Sequence, residues 1–162
     1  MSPINPEQRQ YSILAVEDEP ANLHLIAATL QGHYAVSVAK TLTKARELLS
    51  KNSFDILLLD INLPDGSGMA LCREVVDNPL TYGEVRVVFM TGLTSADDEV
   101  KGLNLGAADY IHKPLNSAVL FARVRLQAQL IRSNELLANL ARVDGLTEVP
   151  NRRAFDAQLA KE

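Results

Sequence analysis

The chain has no tryptophan, one cysteine and three histidines among its 162 residues. A lone Cys72 has no partner within the chain, which excludes an internal disulfide framework. It fits a reduced, cytoplasmic setting, and its place in a helical pattern reads as a small buried hydrophobe. His24, His33 and His112 are scattered without metal-ligand spacing and read as packed or solvated side chains. No apolar stretch approaches the ~18 residues of a membrane-spanning helix. Residues 1–10 are polar, contain Pro3 and Pro6 and lack an apolar signal core, so they read as a flexible N-terminus. Basic charge is also in deficit: a formal net charge of -4 gives no general pull toward nucleic acid or an anionic membrane. Neither is an expected partner.

What is present is ordinary for a globular protein, with 47% apolar and 22% charged residues. The length allows one domain with a substantial core plus an appendage. Residues 12–17, 34–39, 54–60, 85–90 and 110–112 read as strands, several of them continuous apolar runs of the kind covered on both faces. Helical patterns lie between them at about 20–31, 42–51, 68–77 and 96–105. Thr41, Thr94 or Ser95, and Asn116 stand where helices need N-terminal caps. Gly32 and Gly106 stand just past helix ends, where a left-handed residue is needed. Five βα units with right-handed crossovers predict an α/β, doubly wound, three-layer sandwich over residues 11–130.

The fifth helix is too long for that sandwich. From Ser117 to about Arg142 there is no Gly or Pro, a span of roughly 40 Å at ~1.5 Å per residue, so residues 131–143 are expected to project as a continuation of the helix. Leu126, Leu130, Ser133, Leu137 and Leu140 alternate at spacings of four and three, a coiled-coil register with one polar interruption. Residues 144–162 hold only Leu146, Val149, Phe155 and Leu159 as large apolar groups, too few for an independent core.

The chemistry gathers at strand ends. Glu17 and Asp18 close the first strand, Asp60 the third and Thr91 the fourth, while Lys113 follows the fifth. In an open parallel sheet these ends share one edge, where ligands bind. Three carboxylates there repel, by about 4 kcal/mol for unit charges ~4 Å apart at an effective dielectric of 20. A hard divalent cation such as Mg²⁺ resolves that repulsion with oxygen ligands, and the backbone carbonyl of Asn62 can supply one more. Lys113 offers a point charge and Thr91 a hydroxyl to a phosphoryl group on Asp60. Asp55 and Asp109, which flank strands, read as exposed turn residues.

ILAVEDEPAN, ILLLDINLPDGSG, VVFMTG and GAADYIHKPL, in this order and spacing, resemble the two-component response-regulator receiver domain. The resemblance implies a flavodoxin-like five-stranded parallel sheet of order 2-1-3-4-5. It implies that Asp60 accepts phosphate from a sensor histidine kinase or phosphotransfer protein, and that Glu17, Asp18, Asp60 and the Asn62 carbonyl organise Mg²⁺. Thr91 would move toward the phosphoryl group, Lys113 would pair with it, and Tyr110 would change rotamer as the output face rearranges. The Lys113–Pro114 peptide is cis in this family. Glu17 departs from the commoner Asp, and its extra methylene bears on whether metal contact is direct or through water. The leucines 126, 130, 137 and 140 would then support a phosphorylation-dependent homodimer.

DGLTEVPNRRAF is similar to the opening of GGDEF diguanylate cyclase domains, in which a D-x-L-T turn follows a signalling helix. It implies that residues 144–162 are a truncated start of such a domain and that the chain is a fragment of a longer cyclic di-GMP regulator. No cyclase active site is expected within these residues, so the chain itself is not expected to be an enzyme. Two other readings stand beside this one. A receiver with its helix could regulate a separate partner, or the strand-end Asp could belong to a haloacid dehalogenase-type aspartyl phosphatase. The latter wants a second Asp two residues later, where this chain has Asn62.

Overall fold

The computed structural model describes residues 9–92 and 96–147, with side chains at 9–92 and 99–141. Its strands are β1 (Ser12–Val16), β2 (Ala35–Ala39), β3 (Ile56–Asp60), β4 (Asn62–Leu63), β5 (Gly66–Ser67), β6 (Arg86–Thr91) and β7 (Asp109–His112). The helices are α1 (Pro20–Leu30), α2 (Leu42–Lys51), α3 (Gly68–Asp77), α4 (Pro79–Tyr82), α5 (Ala96–Asn104) and α6 (Ser117–Thr147). Five strands form one parallel sheet in the order β2-β1-β3-β6-β7, which is the expected 2-1-3-4-5 once the two short strands are left out of the count. β4 and β5 form a small antiparallel hairpin, and neither it nor α4 is among the elements expected from the sequence.

Strand alternation divides the core. Leu14, Val16, Leu57, Leu59, Val87 and Phe89 pack in one cluster with Leu42, Ala45 and Leu49 of α2 and Leu71, Cys72 and Val75 of α3. The alternate residues Ile13, Ala15, Leu58, Val88 and Met90 are equally buried and point to the opposite face. There α1 contributes Leu23, Ile26 and Leu30, and α6 contributes Leu120, Val124 and Ala128. All five residues of β3 are buried, the signature of a strand covered on both sides. Cys72 is fully buried, and desolvation pushes its thiol up to about 11, which leaves it a packing residue.

Local signals acted where the sequence placed them. The Thr41 hydroxyl accepts from Lys44 N at 3.1 Å, and Asn116 Oδ1 accepts from Ala118 N and Val119 N at 2.9 and 3.2 Å. The cap expected at Thr94 or Ser95 lies outside the described residues. Asp55 and Asp109 are partly buried rather than exposed: Asp55 accepts from Ser12 N at 2.8 Å, pinning the start of β1, and Asp109 pairs with Arg123 at 3.4 Å.

A compact unit covers Gln10–Ala128, and Arg9 with residues 129–147 belongs to a second unit in which Arg9 pairs with Glu135 at 2.7 Å. α6 runs 31 residues without a break to Thr147. The backbone of 144–147 is therefore helical, where the sequence reading placed a D-x-L-T turn. Gly145 alone interrupts the helix formers there, at a cost of about 1 kcal/mol, and the next proline is Pro150. The rest of the cyclase-like segment, 148–162, lies outside the described residues.

Gly32 and Gly106 adopt φ of +89° and +98°. A Cβ at Gly32 would meet nothing within 4 Å, whereas one at Gly106 would lie 2.8 Å from Val76 Cγ1. Gly32→Ala is therefore expected to cost about 1–2 kcal/mol, the left-handed penalty alone, and Gly106→Ala distinctly more. Urea unfolding of the two variants measures the difference, and equal costs would mean that Val76 yields without penalty.

Candidate functional site

Each site residue is delivered by the end of a strand. Asp60 is the last residue of β3, Thr91 the last of β6, Glu17 and Asp18 follow β1, and Lys113 follows β7. The ladder pairs Asp60 with Met90 and Thr91 with His112, so parallel register alone aligns these positions along one edge. Carboxylate oxygens of Glu17, Asp18 and Asp60 lie within 4.8 Å of one another. Asp60 and Glu17 are buried and Asp18 is exposed, so the cluster opens to solvent over Asp18.

Lys113 enters this cluster as a counter-charge. Its Nζ lies 2.9 Å from Glu17 Oε2 and 3.0 Å from Asp60 Oδ2, which bridges the two buried carboxylates. The Lys113–Pro114 peptide is cis, as the family resemblance implied, and Lys113 N donates to Thr91 O at 2.8 Å. Burial raises the Asp60 carboxyl above its ordinary value; the hydrogen bond from Lys113 opposes this, and the Glu17 charge adds to it. Desolvation works against the Lys113 ammonium, yet its hydrogen bonds with Glu17 and Asp60 prevail and leave it raised. By formal count three carboxylates face one ammonium, a residual of -2. All of the clustered donors are hard oxygens, the set that suits Mg²⁺ or a similar divalent cation.

Tyr110 is buried in β7, its ring 5.5 Å from that of Phe89. Its hydroxyl occupies the space that a side chain on residue 102 would need, so Gly102 of α5 makes room for the inward rotamer. Thr91 is likewise buried, at 2% exposure. Asn62 opens the hairpin just after Asp60 and donates from its backbone N to Asp60 Oδ1 at 3.3 Å. His112 pairs with Glu99 at 2.8 Å on the surface and belongs to no metal-ligand set among the described residues. Leu126, Leu130, Leu137 and Leu140 are exposed on α6.

Three contributors escaped the sequence reading. Asn22, in the first turn of α1, donates to Glu17 Oε1 and to Glu19 Oε2, both at 3.1 Å, and so holds the second oxygen of Glu17 that Lys113 leaves. Its legible signal was position: a polar side chain one turn inside a helix reaches back toward the cap. At Gly68 a Cβ would lie 2.1 Å from the Asp60 carbonyl oxygen, so only glycine lets α3 start against the end of β3. Asp65 sits at the hairpin tip and accepts from Leu42 N at 2.9 Å, Thr43 N at 3.0 Å and Thr43 Oγ1 at 2.8 Å. Nothing local revealed that partner, 23 residues away.

A model of the response regulator receiver domain family matches residues 13–125. Among curated relatives, a probable cyclic di-GMP phosphodiesterase of Vibrio cholerae is 35% identical over 130 residues, covering 80% of this chain and 29% of that protein. The response regulator PleD of Caulobacter vibrioides is 39% identical over 114 residues, covering 70% of this chain and 25% of that protein. The chain thus spans less than a third of the length of either relative. Among solved structures, the BeF3-activated N-terminal receiver domain of Klebsiella pneumoniae RstA superposes with a TM-score of 0.65 at 38% identity, covering 72% of this chain and 97% of that one.

The amides of Leu42 and Thr43 hold the Asp65 carboxyl at about 2, below its ordinary 3.8. A depressed carboxyl contributes stability above its unfolded value and loses it as pH falls through the folded one. The stability advantage of the native chain over Asp65→Asn is therefore expected to shrink between pH 3.8 and about 2. Denaturant midpoints measured across that interval test this, and a constant gap would contradict it.

Proposed function

We propose that this chain, which belongs to the response regulator receiver domain family, accepts a phosphoryl group on Asp60 and uses it to switch an output face. The observation that carries the reading is the bridge of Lys113 between Glu17 and Asp60, with Asp18 completing the acidic cluster. The donor is a phosphohistidine on a sensor histidine kinase or phosphotransfer protein. A carboxylate oxygen of Asp60 attacks phosphorus, the new O–P bond forms as the P–N bond to the imidazole breaks, and the ring nitrogen leaves with the electron pair. Glu17, Asp18, Asp60 and the Asn62 carbonyl are the residues assigned to Mg²⁺, which when bound supplies charge neutralisation for the transferring group. Lys113 and the Thr91 hydroxyl then hold the phosphoryl oxygens that Asp60 has gained.

The switch is assigned to Thr91 and Tyr110, which border α5, β7 and α6. A phosphoryl group that draws Thr91 inward favours the conformer with Tyr110 turned in, the one that Gly102 accommodates. Moving such an equilibrium from 1:99 to 99:1 needs about 5.5 kcal/mol of differential interaction, so a partial shift is expected. The output is assigned to an attached diguanylate cyclase on the strength of DGLTEVPNRRAF. The Vibrio relative's name denotes a phosphodiesterase, so the sign of the cyclic di-GMP output rests on that segment and not on the relative. A cytoplasmic location accords with a phosphohistidine donor. Among the described residues no helix is long and apolar enough to cross a membrane.

With a small acyl-phosphate donor and Mg²⁺, intact mass should show one added phosphoryl group, and none on Asp60→Asn. Label on that variant would overturn the acceptor assignment, and full labelling with the metal chelated would overturn the Mg²⁺ role.

Leu126, Leu130, Leu137 and Leu140 are 41–64% exposed, so a second copy would cover only about half of each side chain's worth of ~1.5–3 kcal/mol. Association costs at least about 4 kcal/mol in lost freedom, so the gain leaves a weak dimer. Self-association is expected to strengthen with beryllofluoride and to weaken when Leu130 and Leu137 become polar. Sedimentation over a concentration series tests this; unchanged association in the leucine variants would place the dimer face elsewhere.

A further inference from the structure

We propose that Asp65 is a positioning residue for the phosphoryl-accepting site: its carboxylate clamps the β4–β5 hairpin to the first turn of α2 and so fixes the geometry around Asp60. The inference rests on the receiver reading above and assigns a role to a residue outside the acidic cluster. Asp65 occupies the two-residue tip of the hairpin, between the paired residues Leu63 and Gly66. Both of its oxygens are engaged, Oδ1 by Leu42 N at 2.9 Å and Oδ2 by Thr43 N and Thr43 Oγ1 at 3.0 and 2.8 Å. Gly66 beside it lies so close to α2 that a Cβ there would be 3.0 Å from Leu42 Cδ1. The tip is therefore docked by charge and by shape.

The base of the same hairpin grips Asp60. Asn62 N donates to Asp60 Oδ1 at 3.3 Å, Gly68 N donates to Ile61 O at 2.7 Å, and Gly68 is pressed against the Asp60 carbonyl. Between tip and base run only the pairs Leu63–Gly66 and Asn62–Ser67. A two-pair hairpin is marginal by itself in water. Its conformation, and with it the Asn62 amide that orients Asp60, depends on the anchor at the far end. Thr41 caps α2 through Lys44 N, and Asp65 satisfies the two preceding amides of that turn, so its carboxylate supports the helix end and ties the hairpin to it at once.

The test separates positioning from stability. Rates of phosphoryl uptake from an acyl-phosphate donor are measured against Mg²⁺ concentration for the native chain, Asp65→Ala, Thr43→Val and Thr41→Ala, with unfolding midpoints for each. Residues that orient a metal ligand typically change affinity by about tenfold or more when lost. Asp65→Ala is expected to raise the half-saturating Mg²⁺ concentration by about that factor while the rate at saturation changes far less. Thr43→Val, which removes one donor and leaves both amides, should move it in the same direction by a smaller factor. Thr41→Ala weakens the same helix end without touching the hairpin and should leave the Mg²⁺ dependence unchanged despite a lower midpoint. A shift in Thr41→Ala equal to that in Asp65→Ala, or no shift in Asp65→Ala, overturns the positioning role. Failure of the receiver reading looks different: no label on the native chain, or label that survives Asp60→Asn.

Discussion

Crowding of like charge at the C-terminal edge of the sheet is the constraint on which the other features turn. Glu17 and Asp60 are buried at the ends of adjacent strands with oxygens within 4.8 Å, a spacing at which like charges repel strongly. Lys113 answers with an ammonium in contact with both. That answer requires β7 to lie two strands from β3 with its end at the same edge, which parallel order and register provide. Asn22 Nδ2 and the Glu19 amide donate to the other oxygen of Glu17, and the Asn62 amide donates to Asp60. The longer Glu17 side chain thus ends the first strand already engaged through both oxygens.

The sheet was legible because its strands are buried on both faces. Ile56–Asp60 is apolar up to its functional residue, and no helical period competes with it. Helix starts were legible where a cap side chain acts within three residues, as Thr41 does, and ends where a positive φ demands glycine, as at Gly32 and Gly106. The hairpin was not, since two residues per strand carry no periodicity and Pro64-Asp65-Gly66 is turn chemistry in either case. α4 is four residues around Pro79, shorter than any pattern window.

The strand-end residues were legible as a set because topology alone brings them to one edge. Their supporting residues were not, because support comes from contacts distant in sequence. Asp65 finds Leu42 and Thr43, and the Tyr110 hydroxyl finds the gap at Gly102. Gly68 could have been read as a helix-start glycine, yet its reason is the approach of α3 to the Asp60 carbonyl. Each case is a close approach between elements, which composition and spacing do not encode.

α6 shows how one helix serves two surfaces. Leu120, Val124 and Ala128 recur every fourth residue and are buried, and Gln127 beside them accepts from Arg86 Nη1 at 3.3 Å. Leu126 stands two residues from Val124 and from Ala128, about 200° around the helix at 3.6 residues per turn. It is exposed although it belongs to the same compact unit. After Ala128 no residue up to Ala141 is buried, yet leucines continue at 130, 136, 137 and 140. A helix with apolar residues on opposite sides satisfies only one of them within its own fold. The outer leucines follow a four-three spacing and not the four-residue repeat of the inner face, so the two sides of the helix carry different apolar periods.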